Sequence, residues 1–154
     1  MRIEQGRLDD PKVHDLLRLH LAGMHANSPP GHVFALDLSG LATPDVTFLT
    51  AWEGETLLGC GALKVLGGDA GEVKSMRVPP EHLRKGVGAA ILTRILELAR
   101  ARGYRALHLE TGTGPAFEPA HALYRRFGFV DGEAFGGYER SDFNTFMTLA
   151  VNGR

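Results

Sequence analysis

Gly86 and Gly88 stand where an apolar strand pattern, the pair Pro79-Pro80 and a short basic loop give way to an amphipathic helix pattern. Glycines at a helix start let a ligand approach the backbone, whose first amides are unpaired and point outward. The helix dipole favours negative charge there, and Arg84 and Lys85 add two full positive charges. These residue types specify a phosphate-binding corner. Two well-known phosphate motifs do not fit it. A P-loop needs Gly-x-x-x-x-Gly-Lys-[Ser/Thr], which the chain lacks. A dinucleotide fingerprint needs a third glycine where Ile91 stands, close behind a strand of a βαβ unit, and the strand patterns before this corner are joined by hairpin turns.

The other reactive side chains narrow the chemistry. Of the seven histidines, His14 and His20 are six apart and His20 and His25 five, so none forms a His-x-x-x-His pair. No cysteine or carboxylate cluster sits at ligand spacing beside them, and no metal is expected. Cys60 is the one cysteine and lies in the apolar run Leu57-Leu58-Gly59-Cys60-Gly61-Ala62-Leu63. It excludes an intrachain disulfide framework and reads as a small buried hydrophobe, which suits a reducing cytoplasm. Apolar surroundings raise a thiol pKa, so a covalent cysteine route is disfavoured.

At 154 residues the chain has the length of one domain, 1–154, large enough to build a core without staples. Its 44% hydrophobic and 23% charged residues are those of a globular protein in water, and its formal net charge is -1. Without a long basic run, no nucleic-acid partner is expected, and anion binding must be local. The opening residues lack the apolar segment of a signal peptide. No run approaches the roughly 18 apolar residues of a membrane span. Cytoplasmic location without membrane attachment is the expectation.

The elements that must position these groups follow from periodicity. A short strand pattern falls within residues 1–8. Asp9-Asp10-Pro11 opens a helix over residues 11 to about 25, with Val13, Leu16, Leu17, Leu21 and Met24 at helical spacing. A long connection follows, ambiguous over 32–41 with a short helical turn. Residues 46–52, 56–66 and 72–78 read as an antiparallel meander, turned at Glu53-Gly54-Glu55 and at 67–71. The helix after the corner runs over about 86–102, with Val87, Ile91, Ile95 and Leu98 as its apolar stripe and Gly103 as its stop. A strand over 106–111 then runs parallel to 72–78, because a helix crosses between them. A short helix over 119–127 packs through Ala122, Leu123 and Phe127; a strand begins near Phe129-Val130, and a final strand covers 144–151. The class is one mixed α+β fold.

The segment Met76-Arg77-Val78-x-Pro80, then Arg84-Lys85-Gly86-Val87-Gly88-Ala89, then a long helix, resembles the acyl-CoA-binding motif of the GNAT N-acetyltransferases. Leu123-Tyr124-x-x-x-Gly128-Phe129 resembles that family's second signature, and Glu72-Val73-Lys74 its Glu-hydrophobic-Lys strand. The order β–α–(α)–β–β–β–α–β–α–β–β also matches over nearly the whole chain. The resemblance implies the acyl-CoA N-acyltransferase fold, a mixed, mostly antiparallel central sheet flanked by helices. One position departs from the pattern: Leu83 stands where the family carries Gln or Arg, with Arg84 one place later.

The resemblance implies acetyl-CoA as cosubstrate, with Arg84, Lys85, Gly86, Val87, Gly88 and Ala89 cradling its pyrophosphate. Met76, Arg77 and Val78 pair with the pantetheine arm, and the amide near Val78 polarises the thioester carbonyl. Tyr124 matches the family's general acid, which hands a proton to the departing thiolate. For the base, Glu72 is the first choice, on the reading that positions 72, 74, 76 and 78 share one strand face if no bulge intervenes. Glu110 is the runner-up, and a water chain is the third option. Acceptor contacts are expected from the two long loops, 27–41 carrying His32 and Asp37 and 132–142 carrying Phe135, Tyr138, Glu139 and Arg140, and from the turn Phe117-Glu118-Pro119-Ala120. His20 and His25, on or near the end of the first long helix, read as surface or pocket polar residues first and as substrate contacts second.

The expected activity is direct acetyl transfer, in a ternary complex, to a primary amine of a small molecule or amino-acid-like acceptor. Acetylation of a protein or peptide, and a non-catalytic acyl-CoA-binding role, are the alternatives. The combination Ser28-Pro29-Pro30, Ala35-Leu36-Asp37-Leu38, Glu110-Thr111-Gly112 and Phe135-Gly136-x-Tyr138 resembles an uncharacterised bacterial, small-molecule-type subgroup of the family. Homodimers are common in such folds, and no residue identifies an interface.

Overall fold

The structure is a computed structural model and describes residues 1–31 and 37–151. Its elements are β1 (Arg2–Gln5), α1 (Pro11–Ala26), α2 (Leu38–Leu41), β2 (Val46–Glu53), β3 (Thr56–Gly67), β4 (Ala70–Arg77), α3 (Val87–Ala101), β5 (Ala106–Gly112), α4 (Glu118–Arg126), β6 (Val130–Asp131) and β7 (Asn144–Ala150). This is the order the resemblance implies. The strands form one sheet in the order β1-β2-β3-β4-β5-β7-β6, antiparallel throughout except for the parallel pair β4–β5.

Local chemistry accounts for the element ends. The Asp10 carboxylate accepts the Lys12 amide at 2.9 Å and starts α1, with Pro11 in the first turn. Gly103, at φ +76°, takes the left-handed turn that stops α3, and Tyr104 N donates to Ala99 O. α3 lays Val87, Ile91, Leu92, Ile95, Leu96 and Ala99 on one face of the sheet, against Leu63, Val73, Leu107 and Leu109. α1 covers the other face with Val13, Leu16 and Leu17, against Phe48, Trp52, Cys60 and Ala62. Each strand of the meander therefore has one row of side chains facing α3 and one facing α1. Of the expected packing positions of α4, Leu123 and Phe127 pack against the α3 core while Ala122 is exposed, and Tyr124 is the buried residue of the helix.

Two departures from regular pairing position the site. Pairing between β4 and β5 ends at Glu72–His108, so beyond it these two strands splay and open the sheet along their facing edges. In β4, Lys74 pairs with Ala62 and Arg77 with Cys60, so Ser75 and Met76 together oppose Gly61. This is a β-bulge, and Ser75 sits in it at φ +56°, rare for a residue with a side chain.

Candidate active site

The bulge sorts the β4 side chains. Val73 packs in the α3 core, and Met76 returns to that face: a Cβ built at Gly61 would stand 2.5 Å from its sulfur and 2.7 Å from Ile91. Only glycine fits between them. Glu72 and Lys74 alternate with Val73 onto the α1 face, and Arg77 joins them there, its Nε donating to His20 Nδ1 at 3.0 Å. The expectation that Glu72, Lys74, Met76 and Val78 share one face is therefore overturned. The extra residue at Ser75 reverses the alternation, so Glu72 and Met76 point to opposite sides of the sheet.

On the α1 face, Glu72 is buried and carries two partners. Tyr138 Oη donates to Glu72 Oε2 at 2.6 Å, and Lys74 Nζ lies 3.2 Å from the same oxygen. Lys74 Nζ also donates to Tyr138 Oη at 2.5 Å. Burial, then the hydrogen bond to Glu72 and that residue's charge, push the Tyr138 phenol far above its usual range, so it remains a donor. The loop 132–142 that brings Tyr138 here is held by aromatic contacts: the Phe135 ring lies 5.2 Å from those of His108 and Tyr138 and 5.8 Å from that of Phe146. Arg140 lies over Phe146 and donates to Gly132 O. This loop roofs the sheet face beside α1.

Glu110 lies on that face as well, since Leu107 and Leu109, its alternating neighbours, belong to the α3 core. Burial pushes its carboxyl up to about 7, against a hydrogen bond from Asn144 and the charge of Lys74, while the charge of Glu72 adds to the rise. His108, the register partner of Glu72, is held low by burial, with the Glu72 charge opposing. His20 is pushed down to about 4 by burial and then by the charges of Arg77 and Lys74. A neutral imidazole is what accepting the Arg77 hydrogen bond requires.

At the glycine corner, Arg84 (φ +66°) and Gly86 (φ +78°) flank Lys85 in left-handed conformations. Such alternation turns successive N–H groups into one concavity suited to an anion. The first helical bond runs from Ala90 N to Gly86 O, so the amides of Val87, Gly88 and Ala89 precede the intrahelical ladder. Arg84, Lys85 and Gly86 are exposed, whereas the Val87 side chain is a core residue and offers only its backbone. Leu83 is 54% exposed and adds nothing polar. Gly88 admits α4: a Cβ there would stand 3.1 Å from Leu123 Cδ2. The next residue, Tyr124, is buried, with its ring edge-on to Phe129 and its hydroxyl without a protein partner among the described residues. Burial holds the phenol well above its ordinary pKa.

Other expected site residues fall elsewhere. Asp37 is exposed and caps α2 through the Gly40 amide, His25 is exposed, and the Phe117 ring meets Phe143 edge-on. His32 lies outside the described residues. Burial pushes the Cys60 thiol up to about 12, and Sγ donates to Ser75 O, so it packs as a small hydrophobe. Among the described residues no three histidine, cysteine or carboxylate groups gather as metal ligands, and no helix is long and apolar enough to cross a membrane. The pairing of Arg77 with His20, and the role of Tyr138 as the bridge between Glu72 and Lys74, were not foreseen. The only sequence signal for the second was a tyrosine in a long loop.

An open β4–β5 edge, a glycine-led helix beside it and a polar face roofed by the last loop define an acyltransferase architecture. The model of the Acetyltransferase (GNAT) family matches residues 13–129. The chain is 47% identical over 148 residues to the uncharacterized N-acetyltransferase YsnE of Bacillus subtilis, covering 96% of this chain and 98% of that protein. A crystal structure from Klebsiella pneumoniae, assigned as an acyl-CoA N-acyltransferase, superposes with a TM-score of 0.82 at 27% identity over 97% of each chain. A Bacillus subtilis acetyltransferase solved in complex with CoA shares the fold, with a TM-score of 0.72 at 20% identity over 97% of this chain and 98% of that one. The chain belongs to the GNAT family and is an N-acetyltransferase of that type.

Proposed function

We propose that the protein moves the acetyl group of acetyl-CoA to a primary amine of a small, amino-acid-like acceptor, by direct transfer within a ternary complex. The observation that carries this reading is the splay of β4 from β5 beside a closed polar face. The pantetheine arm lies along the free β4 edge at Met76, Arg77 and Val78, with the pyrophosphate at Arg84 to Ala89. The roof that residues 132–142 form over this face, through Tyr138 on Glu72 and Phe135 on His108, argues against a protein segment laid across the sheet.

In the reaction the acceptor nitrogen bonds to the acetyl carbon, the carbon–sulfur bond breaks, and a proton passes from nitrogen to base. Glu110 suits the base better than Glu72. A carboxyl near 7 is half ionised at neutral pH, and the optimal base has a pKa near the working pH. Glu72 already accepts from Tyr138 and Lys74, so its part is to hold those two side chains in place. Tyr124 donates to the leaving sulfur. Its raised pKa makes outright proton release unfavourable, so it acts first as a hydrogen-bond donor stabilising the thiolate. A panel of primary amines, with free CoA detected and products weighed by mass spectrometry, tests the reading. At least one small amine should gain a single acetyl group; CoA release no faster than the amine-free blank across the panel would contradict it.

A further inference from the structure

Arg77 is a half-buried guanidinium without a carboxylate. Its Nε donates to His20 Nδ1 at 3.0 Å and its Nη2 to His20 O at 3.3 Å, both neutral acceptors. No ion pair reaches it among the described residues, whereas Lys74, on the same face, is paired with Glu72. Its Nη1 has no hydrogen-bond partner there, yet is not sealed from solvent. The fold makes room for this arrangement. Gly23 of α1 has no side chain where a Cβ would come within 2.9 Å of Nη2. A buried or half-buried charge is costly unless something compensates it, and a neutral histidine compensates the hydrogen bonding but not the charge.

The neighbours complete the case. Ser75, in the bulge two residues earlier, has a buried hydroxyl with no partner among the described residues, so a second polar group is left unused at the same turn of β4. Glu72, Lys74 and Arg77 of β4 and Glu110 of β5 all lie on the α1 face of the sheet. On that face Glu72 offsets Lys74, with Nζ 3.2 Å from Oε2. Arg77 is the charge left over. A site with this balance attracts an anion beside the reacting amine and repels a second cation.

Resting on the acetyltransferase reading above, we propose that Arg77 is a specificity-determining residue that binds a carboxylate of the acceptor, so that the substrates are amino acids or close amino-carboxylates. A carboxylate matches the planar guanidinium, and the acceptor amine then lies toward Glu110 and the β4–β5 opening. Polyamines and other polycationic acceptors are excluded by the same charge.

The test compares matched trios on the unmodified enzyme: an amino acid, its carboxamide and its decarboxylated amine, each with saturating acetyl-CoA. The amino acid should show a kcat/KM about 10- to 100-fold above the other two, carried mainly by KM, as expected when one charge-assisted contact is lost. Arg77→Gln should erase that preference, bringing the kcat/KM of the amino acid down to the level of its carboxamide and amine measured with the same variant; Arg77→Lys should recover part of it. Equal or better rates for the carboxamide and amine overturn the carboxylate site and leave the acetyltransferase reading standing. A preference that survives in a folded Arg77→Gln protein overturns the assignment to Arg77. No acetylation of any trio member, with acetyl-CoA hydrolysis or binding intact, overturns both.

Discussion

Tyr138 Oη donates to Glu72 Oε2 across 2.6 Å, joining a loop residue to a strand residue 66 positions earlier in the chain. Lys74 closes the group by reaching both atoms. This three-membered contact connects the late loop to the same sheet face that carries Glu110 and Arg77. The face proposed for the acceptor is thus assembled by chain segments that are distant in sequence.

Removing the bridge should loosen that roof. Tyr138→Phe keeps the ring against Phe135 and Phe146 but deletes the hydroxyl between Lys74 and Glu72. The expected loss is about 1–3 kcal/mol, typical of a buried hydrogen bond to charged groups, and a urea midpoint measurement reads it. KM for the acceptor should rise, while affinity for acetyl-CoA stays as it was. An unchanged acceptor KM would detach the Glu72–Tyr138 pair from the acceptor site.

Stability should respond to pH through two groups of opposite sign. His20 is held near 4, below its ordinary 6.5, so the unfolded chain binds the extra proton, and this stabilisation is lost as pH falls from about 6.5 toward 4. Glu110 is held near 7, above its ordinary 4.5, so the folded chain binds the extra proton, and that stabilisation is lost as pH rises from about 4.5 to 7. Over the shared window the two slopes oppose each other. Glu110→Gln should therefore steepen the gain in stability as pH rises through this window. His20→Asn, which keeps an acceptor for Arg77, should tilt the curve the other way. Denaturant midpoints between about pH 4 and 7.5 measure both, and parallel curves for the two variants and the unmodified protein would refute the assignment.

Tyr124→Phe removes one oxygen from a ring that stays packed on Phe129. Because no protein group binds that oxygen among the described residues, stability should change little. Turnover should fall about 100-fold, the usual size of losing one hydrogen-bond donor to charge that develops in the transition state, with acetyl-CoA affinity nearly intact. An unchanged rate would take Tyr124 out of the mechanism.

Much of the fold was legible because local signals agreed with one another. The apolar stripe of α3, the Gly103 stop and the glycine turns read at 53–55 and 67–71 each specify their element without help from distant residues. The glycine corner proposed for the pyrophosphate is equally local, since backbone conformation at Arg84 and Gly86 makes the concavity and neither needs a distant partner. The acceptor side was not. Nothing in Val73-Lys74-Ser75-Met76 announces a bulge, because Ser75 is a side-chain-bearing residue held at positive φ by its surroundings. That one extra residue moves Arg77 onto the face of Glu72 and sends Met76 to α3, which alternation alone predicts the other way. Tyr138 was legible as a loop aromatic, but its partner is set by how residues 132–142 fold back over β5 and β7, a long-range outcome. The elevated carboxyl of Glu110 likewise depends on burial that a strand pattern cannot supply.

The central claim is that the corner at Gly86 holds the pyrophosphate of acetyl-CoA, and a thermal titration tests it most directly. Saturating acetyl-CoA, at roughly 100 times its dissociation constant, should stabilise the folded protein by about 2.7 kcal/mol and raise the melting temperature by about 5–10 °C. Gly86→Trp has open space around its Cβ but strains a backbone held at φ +78°, so it should lower the melting temperature of the free protein by a few degrees, still fold, and lose the acetyl-CoA shift. A melting temperature that does not respond to acetyl-CoA or any other acyl-CoA, or a shift that persists in Gly86→Trp, would contradict the account.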